Sequence, residues 1–348
     1  MFNRKLDSGL SVGIGLAALV ALMALSASSA AAVTLTGAGA TFPYPIYTKW
    51  FDAYAKNHGV RINYQPIGSG GGIQQLKAKT VDFGGSDAPI SDQDMKSMPD
   101  RVIHIPTVAG AVALIYNVPG VGSGLDLTGD IIAEIYLGKI KRWNDKRITS
   151  INKGINLPNK AIAVVHRSDG SGTTNIFTDY LAKVSRGWSV TVGVGKAVDW
   201  PTGIGAKGNP GVAGVVKQTP GAIGYVELAY ATENKLSYAS VRNRAGRYIA
   251  PSSESTTAAA AGFIKAMQKD VRVSIVNSPD PEAYPIAGFT YILVYKRLPD
   301  REKGMALVDF LDWAIHDGQK YAKGLHYAPL PPAIVQINEH KLKGLLIG

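Results

Sequence analysis

The sequence contains no cysteine among its 348 residues. A chain without thiols forms no disulfide, offers no thiolate to a metal and has no cysteine nucleophile. It also lacks the cysteine through which an exported lipoprotein would be anchored. The six histidines never occur in the spacings His-x-x-x-His or His-x-His. We therefore expect neither a metal site nor a cofactor.

Long apolar runs are missing from residue 33 onward, whereas the first 32 residues contain one. There, Arg4 and Lys5 precede an apolar stretch over residues 10–25, and small residues continue to Ala32. This order is typical of a cleavable secretory signal peptide. A membrane anchor is disfavoured because the stretch is shorter than the roughly 20 residues that a spanning helix needs. We predict an exported protein without lipid, cleaved near Ala32 or alternatively after Ala30.

The charge of the chain is strongly positive, at a formal +11. Its lysines and arginines are scattered along the sequence and are not massed in a run with interleaved aromatic residues. This distribution argues against a nucleic-acid partner and indicates only a general attraction for anions.

Strand and helix patterns alternate after residue 33. Residues 102–116 contain two strand-like runs separated at Ala109 and Gly110, whereas residues 187–211 show little periodicity and are expected to form long surface loops. The alternation predicts an α/β fold with parallel sheets, whose ligands bind beyond the carboxyl ends of the strands. The length after the signal suits two domains or one large domain.

Three strand-to-helix loops are rich in hydrogen-bond donors. Thr41 and Phe42 occupy the first, Ser69 lies among four glycines in the second, and residues 164–174 (VVHRSDGSGTT) form the third. The start of a helix has unpaired backbone amides and a dipole that favours negative charge, so such loops suit a small oxyanion. A serine or threonine before a helix is more often a simple cap, so the third loop alone would not establish a site.

Charged residues complete this pattern. Arg167 adds a fixed cation to the third loop, and Asp169 is placed to orient its guanidinium and offset its charge. Asp87 follows a buried-looking strand over residues 81–85 and supplies the one acceptor. If the sheet is parallel, Asp87 lies beside the three loops.

No complete set of catalytic groups accompanies these donors. Residues 195–197 (GKA) lack the upstream glycine of a P-loop, and neither Ser69 nor Ser171 has the glycine two residues earlier that a nucleophile elbow requires. His166 would point to the opposite face of its strand from Arg167, where a structural role is favoured. We therefore expect a binding protein and not an enzyme.

Five motifs, in order along the chain, resemble those of the periplasmic phosphate-binding proteins that serve phosphate-specific ABC transporters. They are GAGATFP (37–43), GSGGG (68–72), VDFGGSDAP (81–89), DGSGT (169–173) and GAIGYVE (221–227). The segments YLGKI (136–140) and WND (143–145) are similar to the same family. The resemblance covers essentially the whole chain after the signal.

This resemblance implies a two-domain periplasmic binding protein of the Venus-flytrap kind, type II, in which each domain is a mostly parallel sheet flanked by helices. Domain I would comprise residues 33–108 and 287–348, and domain II residues 109–286, with crossings near Ala109 and Ala287 and the ligand in the cleft between them. The implied partners are inorganic phosphate and the permease subunits of an inner-membrane transporter. The implied state is a periplasmic monomer.

The resemblance also assigns ligands position by position, with Asp169 supporting Arg167 from behind. The implied phosphate ligands are Thr41, the Phe42 amide, Ser69, Asp87, Arg167, Ser171, the Gly172 amide and Thr173. Gly70 departs from the family, where a second serine is common, which puts one minor contact in doubt.

The carboxylate of Asp87 is expected to determine which oxyanions the site binds. At neutral pH phosphate keeps a proton that a carboxylate can accept, whereas sulfate has none and would leave the carboxylate buried and uncompensated. Arsenate, with similar shape and protonation, should be poorly rejected. A receptor for sulfate or molybdate is the alternative within this class, and a secreted phosphohydrolase is the alternative outside it.

Overall fold

The computed structural model describes residues 1–2 and 33–348. The predicted signal segment and its cleavage site near Ala32 lie, apart from the first two residues, outside the described residues. Among the residues described, no helix is long and apolar enough to cross a membrane.

Strands and helices alternate along the described chain, as the sequence predicts. The strands are β1 Thr34–Gly39, β2 Arg61–Gln65, β3 Phe83–Ser86, β4 Val102–Tyr116, β5 Asp126–Leu127, β6 Ala163–Arg167, β7 Ile204–Ala206, β8 Ala222–Glu227, β9 Ser237–Tyr238, β10 Ser240–Arg242, β11 Tyr248–Ile249, β12 Ala287–Tyr295, β13 Arg297–Leu298 and β14 Leu346–Ile347. The helices are α1 Tyr44–His58, α2 Ser69–Lys77, α3 Asp92–Met95, α4 Gly129–Tyr136, α5 Lys146–Thr149, α6 Gly172–Val184, α7 Arg186–Thr191, α8 Gly208–Gln218, α9 Leu228–Glu233, α10 Ser253–Ala261, α11 Ile264–Met267, α12 Arg301–Ile315 and α13 Pro332–Lys343. Two 3-10 helices, Asp317–Tyr321 and Lys323–Leu325, lie between α12 and α13.

One mixed sheet of nine strands organises the fold. Its order is β2-β1-β3-β12-β4-β8-β6-β7, with β9 also paired to β4. The pairs β1–β2, β1–β3, β6–β8 and β6–β7 are parallel, as predicted, whereas β12 and β4 in the centre pair antiparallel to their neighbours. The strands at each end of the sheet are parallel, so several of their carboxyl ends lie at the same edge. The loops that follow these ends are where a ligand site is expected.

Strand β4 is continuous over 15 residues. The predicted separation at Ala109 and Gly110 is wrong, because the backbone stays in the sheet there and only its partner changes. Residues up to Ala111 pair with β12, and residues from Val112 onward pair with β8. Apolar side chains buried on both faces make such a long central strand favourable.

A β-bulge interrupts the pairing of β4 with β12. Thr290 faces Val108 and the next residue, Tyr291, faces Pro106, so Thr107 is the extra residue on β4. The Thr107 hydroxyl donates to the carbonyl oxygen of Thr290 at 3.2 Å. A bulge of this kind changes the direction in which nearby side chains point.

Helix α2 begins earlier than the sequence suggests. The glycines around Ser69 are expected from the sequence to lie in a strand-to-helix loop, but the helix begins at Ser69 and includes Gly70, Gly71 and Gly72. A β-carbon on Gly72 would lie 2.4 Å from the Gly39 Cα and 2.5 Å from the Ala38 carbonyl oxygen. Glycine therefore lets α2 approach β1 more closely than any other residue would allow.

Residues 187–211 are only in part the surface loops that were expected, since residues 192–203 form a loop without a buried residue but the rest of the range is mostly ordered in helices and a strand. They contain most of α7, all of β7 and the start of α8. Trp188 is fully buried and its indole donates to the Gly193 carbonyl, while Trp200 stacks on His166 at a ring distance of 4.7 Å. These aromatic contacts order a segment whose sequence lacks periodicity.

Candidate functional site

The predicted site residues occupy the strand-to-helix loops. Thr41 and Phe42 lie between β1 and α1, Ser69 begins α2, and Asp87 directly follows β3. Arg167 ends β6, and Ser171 caps α6, whose first residues are Gly172 and Thr173. Each of the side chains is buried. The structure thus gathers residues more than 100 positions apart in the sequence.

Ser69 connects the two parts of this cluster. Its hydroxyl oxygen accepts from the Asp87 amide at 3.2 Å and from the Gly172 amide at 3.0 Å. A second link between the same segments runs from the Gly70 amide to the Gly170 carbonyl at 2.8 Å.

Gly172 fits this contact because it has no side chain. A β-carbon there would lie 2.5 Å from Asp87 Oδ2 and 2.6 Å from the Ser69 hydroxyl oxygen. Both atoms belong to buried residues, so neither can move aside cheaply.

Asp87 is the acceptor of the cluster. The Thr290 hydroxyl donates to its Oδ1 at 2.8 Å, whereas Oδ2 has only a long contact of 3.5 Å with Ser69. Burial raises the pKa of Asp87 to about 7, against the hydrogen bonds from Thr290 and Ser69 and the charge of Arg167, which all lower it. Oδ2 therefore keeps most of its capacity to accept a hydrogen bond.

Arg167 is held by Asp169 in a two-pronged ion pair. Nε lies 2.7 Å from Oδ1 and Nη2 lies 2.5 Å from Oδ2, while the Gly208 amide donates to the same carboxylate at 3.0 Å. Burial acts to raise the pKa of Asp169, but its hydrogen bonds and the charge of Arg167 hold it below its ordinary value. The remaining guanidinium nitrogen, Nη1, faces the Thr173 hydroxyl at 3.3 Å.

Asn209 is a site residue that the sequence analysis missed. Its amide and its Nδ2 donate to the Thr41 hydroxyl oxygen at 3.1 and 2.8 Å, and Nδ2 also contacts the Thr173 hydroxyl at 3.2 Å. The Glu227 amide donates to its Oδ1 at 3.0 Å and fixes which end of the side chain faces the threonines. Pro210 in a first helical turn, ahead of Val212 and Val216, was the signal for a helix start here.

Three of the four hydroxyls of the cluster are oriented as donors, because both of their acceptor positions are occupied. Those of Thr41, Ser69 and Thr173 each accept two hydrogen bonds from the protein. The Ser171 hydroxyl accepts from the Thr174 amide at 3.0 Å. A hydroxyl has one proton and two acceptor positions, so occupied acceptor positions direct the proton toward another acceptor.

The comparisons with known proteins agree with one another. The chain matches the PBP superfamily domain over residues 25–317. It is 47% identical over 306 residues to the phosphate-binding protein PstS of Pasteurella multocida, covering 88% of each chain. It is 46% identical to the PstS of Haemophilus influenzae, covering 87% of this chain and 91% of that one. This chain belongs to the PstS family.

Solved structures extend the PstS assignment to the fold. A high-affinity periplasmic phosphate-binding protein, PfluDING, bound with phosphate, gives a TM-score of 0.68 at 20% identity over 91% of this chain and 100% of that chain. A DING protein gives 0.70 at 20% identity over 88% and 93%. The predicted type II periplasmic binding protein fold is confirmed.

His166 lies apart from the cluster of candidate site residues, as predicted. Its ring stacks on Trp200, and its Nδ1 is 3.0 Å from the Arg167 carbonyl oxygen. Within residues 33–348 no group of three or more acidic or histidine side chains is placed to hold a metal ion.

Proposed function

We propose that this PstS-family protein binds inorganic phosphate in the periplasm and delivers it to the permease subunits of an ABC transporter. The observation that carries the proposal is the polarity of the site, in which four hydroxyls, three of them oriented as donors, and a guanidinium surround one acceptor, Asp87 Oδ2. Phosphate with one proton matches that pattern, because it offers several acceptor oxygens and one donor. The names of the PstS relatives support the same ligand.

The proposed ligands are those that the sequence indicates, with Asp169 and Asn209 holding them from behind. They are Thr41, the Phe42 amide, Ser69, Asp87, Arg167, Ser171, the Gly172 amide and Thr173. Phosphate oxygens would accept from these donors, and the phosphate hydroxyl would donate to Asp87 Oδ2. Sulfate lacks that proton and would face the carboxylate without a hydrogen bond.

We further propose that residues 33–108 with 287–348 and residues 109–286 form two domains that close around the anion. The change of partner of β4 between Ala111 and Val112 and the start of β12 at Ala287 support these crossings. The contacts of Ser69 with Gly172 and of Thr41 with Asn209 then join one domain to the other. Closure of this kind sequesters a ligand between two rigid bodies.

A role in binding is favoured over catalysis, because the cluster consists of donors around one acceptor and the relatives carry binding-protein names. An exported monomer without lipid anchor or cofactor fits this role. A receptor for sulfate or molybdate is the competing proposal, and Asp87 argues against it.

Calorimetric titration of purified, ligand-stripped protein with phosphate, arsenate and sulfate at about pH 9, where Asp87 is ionised and phosphate and arsenate still carry one proton, tests the proposal. We expect phosphate and arsenate to bind and sulfate to bind far more weakly. Absence of phosphate binding would contradict the main claim, and equal binding of sulfate would contradict its selectivity. Turnover of a chromogenic phosphate ester would favour the phosphohydrolase instead.

A further inference from the structure

Thr290 contacts the acceptor of the site from outside every motif that the sequence analysis identified. It is fully buried in β12, about 200 residues after Asp87 in the sequence, and its hydroxyl donates to Asp87 Oδ1 at 2.8 Å. This hydrogen bond engages one carboxylate oxygen and leaves Oδ2 for a ligand.

A chain of hydroxyls holds the backbone of Thr290 in place. The Thr107 hydroxyl, on the bulge of β4, donates its only proton to the Thr290 carbonyl oxygen. The Tyr47 hydroxyl, 2.8 Å from the Thr107 hydroxyl, must therefore be the donor in that contact. All four residues are buried, so Thr290 has little freedom to turn away from Asp87.

We infer that Thr290 is a specificity-determining positioning residue, which engages Oδ1 of Asp87 and leaves Oδ2 free for the ligand, so that the site accepts an oxyanion carrying a proton and rejects one without. This inference rests on the proposed function. Without the Thr290 hydroxyl, Asp87 would take up a proton at a higher pH. A protonated Asp87 can donate to sulfate, so the rejection of sulfate would be lost over a wider pH range.

The other titratable groups around Asp87 do not change charge near neutral pH. Arg167 is a fixed cation, and Asp169 has a lowered pKa. Burial raises the pKa of each tyrosine that interacts with Asp87, so these remain neutral: Tyr47, Tyr64, Tyr230, Tyr291 and Tyr327. Asp87, whose pKa burial raises to about 7, is the group in this set that titrates there.

The pH dependence of sulfate binding tests this role of Thr290. Sulfate stays fully deprotonated from about pH 5 to about pH 9, whereas phosphate itself changes its protonation state within this range. In the wild type, sulfate affinity should rise as the pH falls through about 7, when Asp87 takes up its proton. In Thr290→Val we expect the midpoint of that rise to move up by about one pH unit, as loss of one hydrogen bond to a carboxylate implies. Thr290→Ser, which keeps the hydroxyl, should retain the wild-type midpoint.

Matched controls separate this effect from a loss of stability. Thr256 is a fully buried threonine in α10 that bonds the Ser252 carbonyl, and Thr256→Val should leave the midpoint unchanged. Thr290→Ala replaces the valine variant if that variant fails to fold, with the same displacement expected. The inference is overturned if the midpoint does not move without the hydroxyl, if Thr290→Ser moves it equally, or if wild-type sulfate affinity does not depend on pH. Phosphate titrated on the same wild-type sample tests the proposed function separately.

Discussion

The two halves of the site contribute different chemistry. The early segment, with Thr41, Ser69 and Asp87, contains the acceptor and no cation. The later segment contains Arg167 with Ser171 and Thr173, but that cation is already paired with Asp169. With Asp87 ionised, the cluster holds two carboxylates and one guanidinium. In the proposed site an anion is therefore attracted by hydroxyls and helix N-termini, which both segments supply, and not by net charge. The acceptor that sets selectivity lies in the early segment.

Replacement of Asp87, the acceptor, should have the largest effect, and it should act on the selectivity for phosphate over sulfate. At about pH 9, where Asp87 is ionised, Asp87→Asn removes the charge that repels sulfate and offers an amide donor, so the preference for phosphate over sulfate should fall on the order of 100-fold. Parallel calorimetric titrations with both anions measure the ratio. Asp82→Asn changes a carboxylate bound by Thr36 and Lys303 and should leave selectivity unaltered. An unchanged ratio in Asp87→Asn would remove Asp87 from the site.

Preventing contact between the two segments should have the next largest effect. Gly172→Ala places a methyl group against Asp87 and Ser69, and overpacking of this kind predicts a loss of phosphate affinity of about 30-fold. The matched variant is Gly214→Ala in α8, where nothing lies within 4 Å of the added carbon. If both alanine variants bound phosphate equally well, the close approach at Gly172 would have no role in binding.

Removing the residue that orients hydroxyls on both sides should have the smallest effect. Asn209→Ala removes the Nδ2 donation and leaves only the backbone amide on the Thr41 hydroxyl, so phosphate affinity should fall about fivefold, as for one neutral hydrogen bond. Asn243→Ala removes a buried asparagine that bonds the Pro281 and Ala283 carbonyls, and it should reduce stability without changing affinity. In a double-mutant cycle with Thr41→Val the two losses should not add, since Asn209 acts in part through that hydroxyl. Full additivity would disprove this coupling.

Local sequence was sufficient for the parts of the site that lie at strand ends. Glycine-rich loops before helices predicted the places of Ser69 and Ser171, and the position of Asp87 after a buried strand predicted an acceptor beside them. These features depend on neighbours in the chain, which periodicity and helix-start patterns describe well.

The residues that were missed depend on distant neighbours. Asn209 lies in a segment ordered by Trp188 and Trp200, whose packing partners are not adjacent in the sequence. Thr290 is one of nine consecutive buried residues of β12, beside the bulge at Thr107 of β4, and its contact with Asp87 joins residues about 200 positions apart. Register and bulges arise from pairing between strands, and a single strand sequence does not specify them.

The continuity of β4 has a consequence for how readily the proposed domains can close. A flexible linker would have to be ordered at each closure, at about 1–2 kcal/mol of backbone entropy for every residue fixed. Here the crossing residues are already fixed by ladder hydrogen bonds to β12 on one side of the crossing and to β8 on the other. If the proposed domains close about this crossing, no linker has to be ordered there, and more of the free energy of anion contact remains available as affinity.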